Sequence, residues 1–279
     1  MSPELGQTVK PSNGPTAEQF STGHEPRVTS PLLEVREITV SFDGFKAITN
    51  LSLSVPRGSL RVLIGPNGAG KSTLLDTIIG KVRPVSGEVR YHGESISSLP
   101  EHRIAGLGIC RKFQAPGVLE GLTVRENLLL SARKAKGVWA TMFQRPSAAE
   151  QERADELLRL TGLWERMNVQ AGELAHGEKQ WLEIGMVVAA EPELLLLDEP
   201  TAGMTAQETA QTAELIHTLA GRHTVLVIDH DMHFVELLNA PITVLHQGQV
   251  FREGDLETLR NDPEVMEIYL GRPKETAHA

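Results

Sequence analysis

The alternation of apolar and polar residues changes period several times along the chain, and each change marks an element. Residues 33–42 and 51–55 alternate with a period of two, as half-buried strands do, with a turn at Asp43-Gly44 between them. They predict part of an antiparallel sheet. Residues 60–64 are a short apolar strand, followed by a glycine-rich loop and a helix from Lys71 to about Gly80. Ser86-Gly87 opens another short strand over 88–91. Residues 115–190 read as mostly helical, with capping-box spacing at Thr123/Glu126 and Ser147/Glu150. The helix that starts at Ser147 places Ala154, Leu157, Leu158 and Thr161 on one face, so it is expected to pack. Residues 194–197 and 225–228 are unbroken apolar runs of the kind buried on both faces of a parallel sheet. Between them Thr205 and Glu208 form a third capping box, starting a helix to about Leu219. Strands alternating with helices around a parallel sheet, interrupted by a helical insertion, make an α/β protein.

Residues 1–30 break this order. They are rich in Pro, Gly, Ser and Thr, without a period, and are expected to form a disordered tail. The 279-residue chain is 40% hydrophobic and 23% charged, ordinary for a globular protein. No run approaches the roughly 18 apolar residues of a membrane span. The formal charge of −9 argues against a general nucleic-acid coat, which needs a basic surface. The single cysteine, Cys110, excludes an intrachain disulfide and fits a reducing compartment. It has an apolar context and no histidine partner pattern, so a structural role is expected. The start, Met1-Ser2-Pro3-Glu4, lacks the charged and apolar regions of a secretory signal. The histidines have no metal-ligand spacing.

The chemistry concentrates in three places. Residues 65–73 read GPNGAGKST, a phosphate-loop pattern with Gly65, Asn67, Gly68, Gly70, Lys71, Ser72 and Thr73 as candidate nucleotide-binding residues. Such a loop turns backbone N–H groups inward toward a polyphosphate, and the following helix presents its positive N-terminus. Lys71 supplies a cation for the β- and γ-phosphates and Ser72 a hydroxyl for Mg²⁺. The 194–197 strand then runs into Asp198-Glu199, two acids that need a balancing charge at a buried strand end. Asp198 is expected to assist the metal and Glu199 to polarise an attacking water. The 225–228 strand ends similarly, at Asp229-His230-Asp231, where His230 could reach the γ-phosphate.

GPNGAGKST, Gln114, LAHGEKQ at 174–180, LLLLDEP at 194–200 and His230 follow one another in an order that resembles the ABC transporter ATPases. The resemblance covers residues 33–271. It implies a P-loop NTPase cassette over 31–272, with a RecA-like core, an antiparallel β subdomain and a helical subdomain inserted at about 115–180. Residues 273–279 would be a short C-terminal tail. The implied cofactors are ATP and Mg²⁺. By the same resemblance, Phe42 matches the aromatic that stacks on adenine. Gln114 matches the glutamine that senses metal and water and links to the membrane partner, and it joins Ser72 and Asp198 as an implied metal contact. Glu199, His230 and Gln114 are the implied catalytic residues. Leu174, Ala175, His176, Gly177 and Glu178 match the signature that caps ATP on a second cassette. The implied partners are that second cassette, transmembrane permeases and a periplasmic or extracellular solute-binding protein, with no nucleic acid. The implied location is the cytoplasmic face of the cell membrane.

The signature departs from the common LSGGQ. Ala175 lacks the usual hydroxyl, His176 adds bulk where glycine is usual, and Glu178 replaces an amide. Within the superfamily the runs RKFQAPGVLEGLTVRENL, LAHGEKQWLEIGM, EPTAGMT and NDPEVMEIYLG resemble the urea and branched-chain amino-acid importer branch, most of all its urea members. Urea or a related amide is therefore the expected solute. The alternatives are a branched-chain amino acid and, further off, a lipid exporter. Residues 115–121 are expected in the membrane-partner groove. The basic stretch 133–145, with Arg133, Lys134, Lys136 and Arg145 around Trp139, Met142 and Phe143, reads as a solvated loop, or else as a surface for the membrane subunits. Trp181, Ile184 and Val188 share a helical face expected in the core.

Overall fold

Long strands with polar residues on alternate positions build one sheet, and short, wholly apolar strands build another. The computed structural model describes residues 31–112, 117–132 and 146–270. Gln114, the basic stretch 133–145 and both terminal tails lie outside the described residues.

The first sheet has the order β2-β1-β4-β5 and is antiparallel. Strands β1 (Pro31–Phe42) and β2 (Phe45–Pro56) form a hairpin that closes at the facing pair Phe42 and Phe45. Leu51, Leu53 and Val55 are buried while Ser52 and Ser54 between them are exposed, the period-two pattern made real. Strands β4 (Ser86–Tyr91) and β5 (Glu94–Ser95) complete it.

The second sheet has the order β10-β9-β3-β8-β7-β6. Strands β3 (Leu60–Ile64), β6 (Ile109–Arg111), β7 (Leu194–Asp198), β8 (Thr224–Ile228) and β9 (Ile242–His246) are parallel, and β10 (Gln249–Gly254) is antiparallel at one edge. Every residue of β7 and β8 is buried, because both faces are covered.

Alternation along these strands divides the apolar residues between two cores. Leu63, Leu194, Leu196 and Leu226 pack with helix α1 (Lys71–Ile78) and the inner face of the antiparallel sheet. Val62, Leu195, Leu197, Val225 and Val227 pack on the opposite side with the helices. Those helices are α3 (Val124–Ala132), α4 (Ala148–Leu160), α5 (His176–Ala189), α6 (Ala206–Ala220) and α7 (Met232–Leu238). A short helix α2 (Glu101–Gly106) precedes β6. Helices α8 (Leu256–Arg260) and α9 (Pro263–Leu270) follow β10.

All three capping boxes form. Ser147 and Thr205 accept from the N–H groups of Glu150 and Glu208, and Thr123 accepts from Glu126. Each cap is worth about 1 kcal/mol. Ala154, Leu157, Leu158 and Thr161 are buried on one face of α4 and its C-cap. Ile184 and Val188 are buried on α5, while Trp181 is half-buried and donates through Nε1 to Thr212 Oγ1 at 2.9 Å. Residues 117–123 are not helical. The fully buried Asn127 holds them on α3, accepting from the Leu119 N–H and donating to the carbonyls of Leu119 and Thr123.

Candidate functional site

The ends of β3, β7 and β8 lie next to one another because those strands are parallel neighbours, so the loops that leave them converge. The loop after β3 is the GPNGAGKST segment, and it leads straight into α1. Gly70 caps that helix at φ 97°, a left-handed conformation that L-residues resist. A Cβ there would stand 2.8 Å from the Ala47 carbonyl oxygen, so the loop lies against the start of β2. Lys71 is buried, and its Nζ donates to the carbonyl oxygens of Gly65 at 2.6 Å and Pro66 at 3.1 Å. Burial pushes the ammonium pKa down, while the nearby charges of Glu199 and Asp198 hold it up. Ser72 is exposed at the first turn of α1.

Asp198 ends β7 with its side chain almost wholly buried, and its Oδ2 accepts from Arg111 Nη2 at 2.7 Å. Glu199 follows in a left-handed conformation at φ 46°. That conformation is strained for a residue with a side chain, and such strain gathers at functional sites. The Glu199 N–H donates to the Ile228 carbonyl oxygen at 2.8 Å, which ties the turn to β8. Its carboxylate reaches solvent, with Oε1 3.3 Å from His230 Nδ1. The two residues follow separate strands, β7 and β8, whose parallel pairing brings them together.

Asp229 is fully buried between these loops. Its Oδ1 accepts from the N–H groups of His230 and Asp231, and its Oδ2 accepts from Thr201 Oγ1 at 2.7 Å. A carboxylate with three neutral donors is satisfied without a cation in contact. Nothing in its sequence context marks it for a role.

Arg111 and Lys112 carry no motif in the sequence either. Consecutive strand residues point to opposite faces. Arg111 reaches Asp198 and Asp76 of α1, whereas Lys112 lies 3.6 Å from Glu183 of α5. Lys112 and Glu183 are both sheltered from water. Desolvation pushes the lysine pKa down and the Glu183 pKa up. The available signal was two basic residues directly after the apolar pair Ile109-Cys110, too short a run to name a strand. Cys110 itself is half-buried, with its thiol pKa raised by burial, in keeping with a structural thiol.

The LAHGE segment forms the N-terminus of α5. Ala175 occupies the N-cap and offers no side-chain acceptor, so only half of a capping box exists. Glu178 supplies that half: its Oε2 accepts from the Ala175 N–H at 3.0 Å, and its Oε1 accepts from Arg166 Nε at 3.0 Å. The His176 ring turns back into its own chain, where Nε2–H donates to the Ala202 carbonyl oxygen at 2.9 Å. Leu174 is buried. A Cβ on Gly177 would stand 2.3 Å from Glu208 Oε1, so the N-termini of α5 and α6 nearly touch. Glu208 cannot retreat freely, because its other oxygen accepts from the Thr205 N–H and hydroxyl. Gly177→Ala is therefore expected to lower stability by about 1–2 kcal/mol through loss of that cap. Denaturant melts would check it, and an unchanged midpoint would show that Glu208 moves aside at no cost.

Phe42 is about half exposed at the hairpin tip, and Phe45 beside it is more so. Ser72 and Asp198 offer a hydroxyl and a carboxylate, hard oxygen donors that suit Mg²⁺ completed by phosphate and water. Among the described residues no three His, Cys, Asp or Glu side chains converge into an all-protein metal cage. The donor set thus fits a magnesium–nucleotide pair.

No described helix is long and apolar enough to cross a membrane. The pattern of the family described as ABC transporter matches residues 48–202. The chain is 36% identical over 253 residues to the high-affinity branched-chain amino acid transport ATP-binding protein LivG of Salmonella typhimurium, covering 88% of this chain and 99% of that one. Its likeness to the corresponding protein BraF of Pseudomonas aeruginosa has the same identity and coverage. The solved structure of the ADP conformation of MJ1267, an ATP-binding cassette of an ABC transporter, superimposes with a TM-score of 0.77 at 29% identity, covering 88% of this chain and 100% of that one. A phosphate loop, an acidic strand end and a histidine gathered at the ends of three adjacent inner strands, matched over nearly the whole length of such relatives, place the chain in the ABC transporter family as an ATP-hydrolysing cassette.

Proposed function

We propose that this cassette energises a multi-subunit importer for a branched-chain amino acid. The observation that carries the reading is the end-to-end likeness to LivG and BraF, both named for that transport. It favours the branched-chain alternative over urea, whose support is confined to short sequence runs. Urea or a related amide is the second reading. The solute path would lie in partner chains, so no residue of the ATP site distinguishes the two.

In this reading the loop at 65–73 wraps the triphosphate, with Asn67, Gly68 and Thr73 contributing beside Lys71, and Phe42 stacks on the base. Ser72 and Asp198 would hold Mg²⁺, which supplies neutralising charge at the β- and γ-phosphates. Glu199 orients and deprotonates the attacking water, and His230 beside it contacts the γ-phosphate. The α5 N-terminus serves the ATP of a second cassette through backbone N–H groups and helix dipole, since Ala175 has no hydroxyl to give. Glu178 caps the same helix end with a negative charge, which opposes an incoming phosphate. Gln114 and residues 115–121 carry the motion to transmembrane permeases at the cytoplasmic face of the membrane. A solute-binding protein delivers the solute outside.

The test is ATPase activity of the reassembled complex in lipid, with solute-binding protein loaded in turn with leucine and with urea. Stimulation of about threefold or more by leucine alone is expected. Stimulation by urea alone would reverse the order of the two readings, and a complex that hydrolyses no ATP would sink both.

A further inference from the structure

Arg111 links helix α1 to the end of β7. Its side chain is nine-tenths buried, and its fork is divided: Nη1 donates to Asp76 Oδ1 at 2.6 Å and Nη2 donates to Asp198 Oδ2 at 2.7 Å. Asp76 lies four residues after Ser72 on α1, hence on the same face of that helix. The exposed Lys81 also approaches Asp76, at 3.6 Å, but from solvent. A residue of β6 therefore ties the helix that presents Ser72 to the strand that presents Asp198. The planar guanidinium can give separate N–H groups to two carboxylates at fixed angles, which a lysine ammonium cannot.

We propose that Arg111 is a positioning residue that sets the distance between the Ser72 face of α1 and Asp198, and so shapes the place where a divalent cation is held. This rests on the MgATP reading. A plain counter-charge and a positioning tie have opposite consequences for cation affinity. If Arg111 only neutralised Asp198, it would compete with the cation, and its removal would tighten cation binding. If it is a tie, its removal leaves Asp76 and Asp198 to repel each other, the donors spread, and cation binding weakens.

The full-length chain and its Arg111→Met, Arg111→Lys and Asp76→Asn variants are titrated with Mn²⁺ in the presence of a non-hydrolysable ATP analogue, with free Mn²⁺ read by electron paramagnetic resonance. Thermal melting and metal-free affinity for the analogue are measured alongside. Arg111→Met is expected to bind Mn²⁺ about tenfold more weakly or worse, the order that loss of charge-assisted hydrogen bonds implies. Its metal-free nucleotide affinity should stay within about twofold of the parent, since Lys71 and the loop are untouched. Asp76→Asn, which keeps the Arg111–Asp198 pair, should weaken Mn²⁺ binding too, and Arg111→Lys less than Arg111→Met. Equal or tighter Mn²⁺ binding by Arg111→Met overturns the proposal. Should that variant melt without a cooperative transition, parental Mn²⁺ affinity in both Arg111→Lys and Asp76→Asn overturns it instead. A parent chain that binds no analogue with or without Mn²⁺ would overturn the MgATP reading itself. A parent that binds it leaves that reading standing, whatever Arg111 does.

Discussion

Glu199→Gln is expected to leave ATP bound and to cut turnover by about 10²- to 10⁴-fold, the usual worth of a positioned general base. The side chains have the same shape, so the change removes charge and basicity alone. The backbone reasons for Glu199 to sit where it does survive the change: the N–H still donates to the Ile228 carbonyl, and the left-handed turn is still closed by the Ala202 N–H on the Glu199 carbonyl. His230 also keeps its place, because Asp229 fixes its backbone. The loss should therefore fall on the chemical step, with affinity for ATP intact or raised. Single-turnover hydrolysis beside equilibrium binding of a fluorescent nucleotide would separate the two. A rate within about threefold of the parent would end the assignment of Glu199 as base.

Lys71→Ala should fail in the opposite way, losing affinity first. The lysine ammonium is buried and already shares its N–H groups with the Gly65 and Pro66 carbonyls. It is therefore placed inside the loop before any anion arrives. Removing it takes away the cation and leaves two loop carbonyls without their donor. One charge-assisted hydrogen bond is worth about 1.5–3 kcal/mol, or roughly 10- to 150-fold in affinity. Isothermal titration with MgATP would measure it, and an affinity equal to the parent's would remove the phosphate loop from the site. The two variants together distinguish a site that binds without reacting from one that does not bind.

Much of this was legible in the chain because the informative signals are local. A capping box is decided by residues three apart, and all three read from sequence formed. GPNGAGKST needs only its own glycines and the helix that follows. The unbroken apolar runs at 194–197 and 225–228 are too short for a helix and suit strands covered on both faces. The parts missed depend on distant partners. Strand β6 is three residues long and exists because β7 pairs with it. Strand β9 is a strand because β3 lies beside it. Arg111 looks like an ordinary surface charge until the fold puts Asp76 and Asp198 on either side of it. In the sequence His176 only adds bulk where glycine is usual, and the fold supplies what the sequence does not show, a contact of its ring with the Ala202 carbonyl of its own chain. That contact spans 26 positions and leaves no periodic trace. The assignment of Gln114 lies outside the described residues and stands on resemblance alone.

The buried Asp229 has a consequence for timing. One carboxylate holds the Thr201 hydroxyl after β7 and the backbone of His230 after β8. The loop that carries Glu199 and the loop that carries His230 are thus joined through one buried side chain. Neither can swing away without unmaking a hydrogen bond to a buried carboxylate, and leaving such a group unpaired is costly. The two loops should arrive at the reacting phosphate and leave it as one piece. If Glu199 and His230 serve the reaction as proposed, readiness for hydrolysis would then be a single switch thrown once per cycle, not two independent adjustments that could fall out of step.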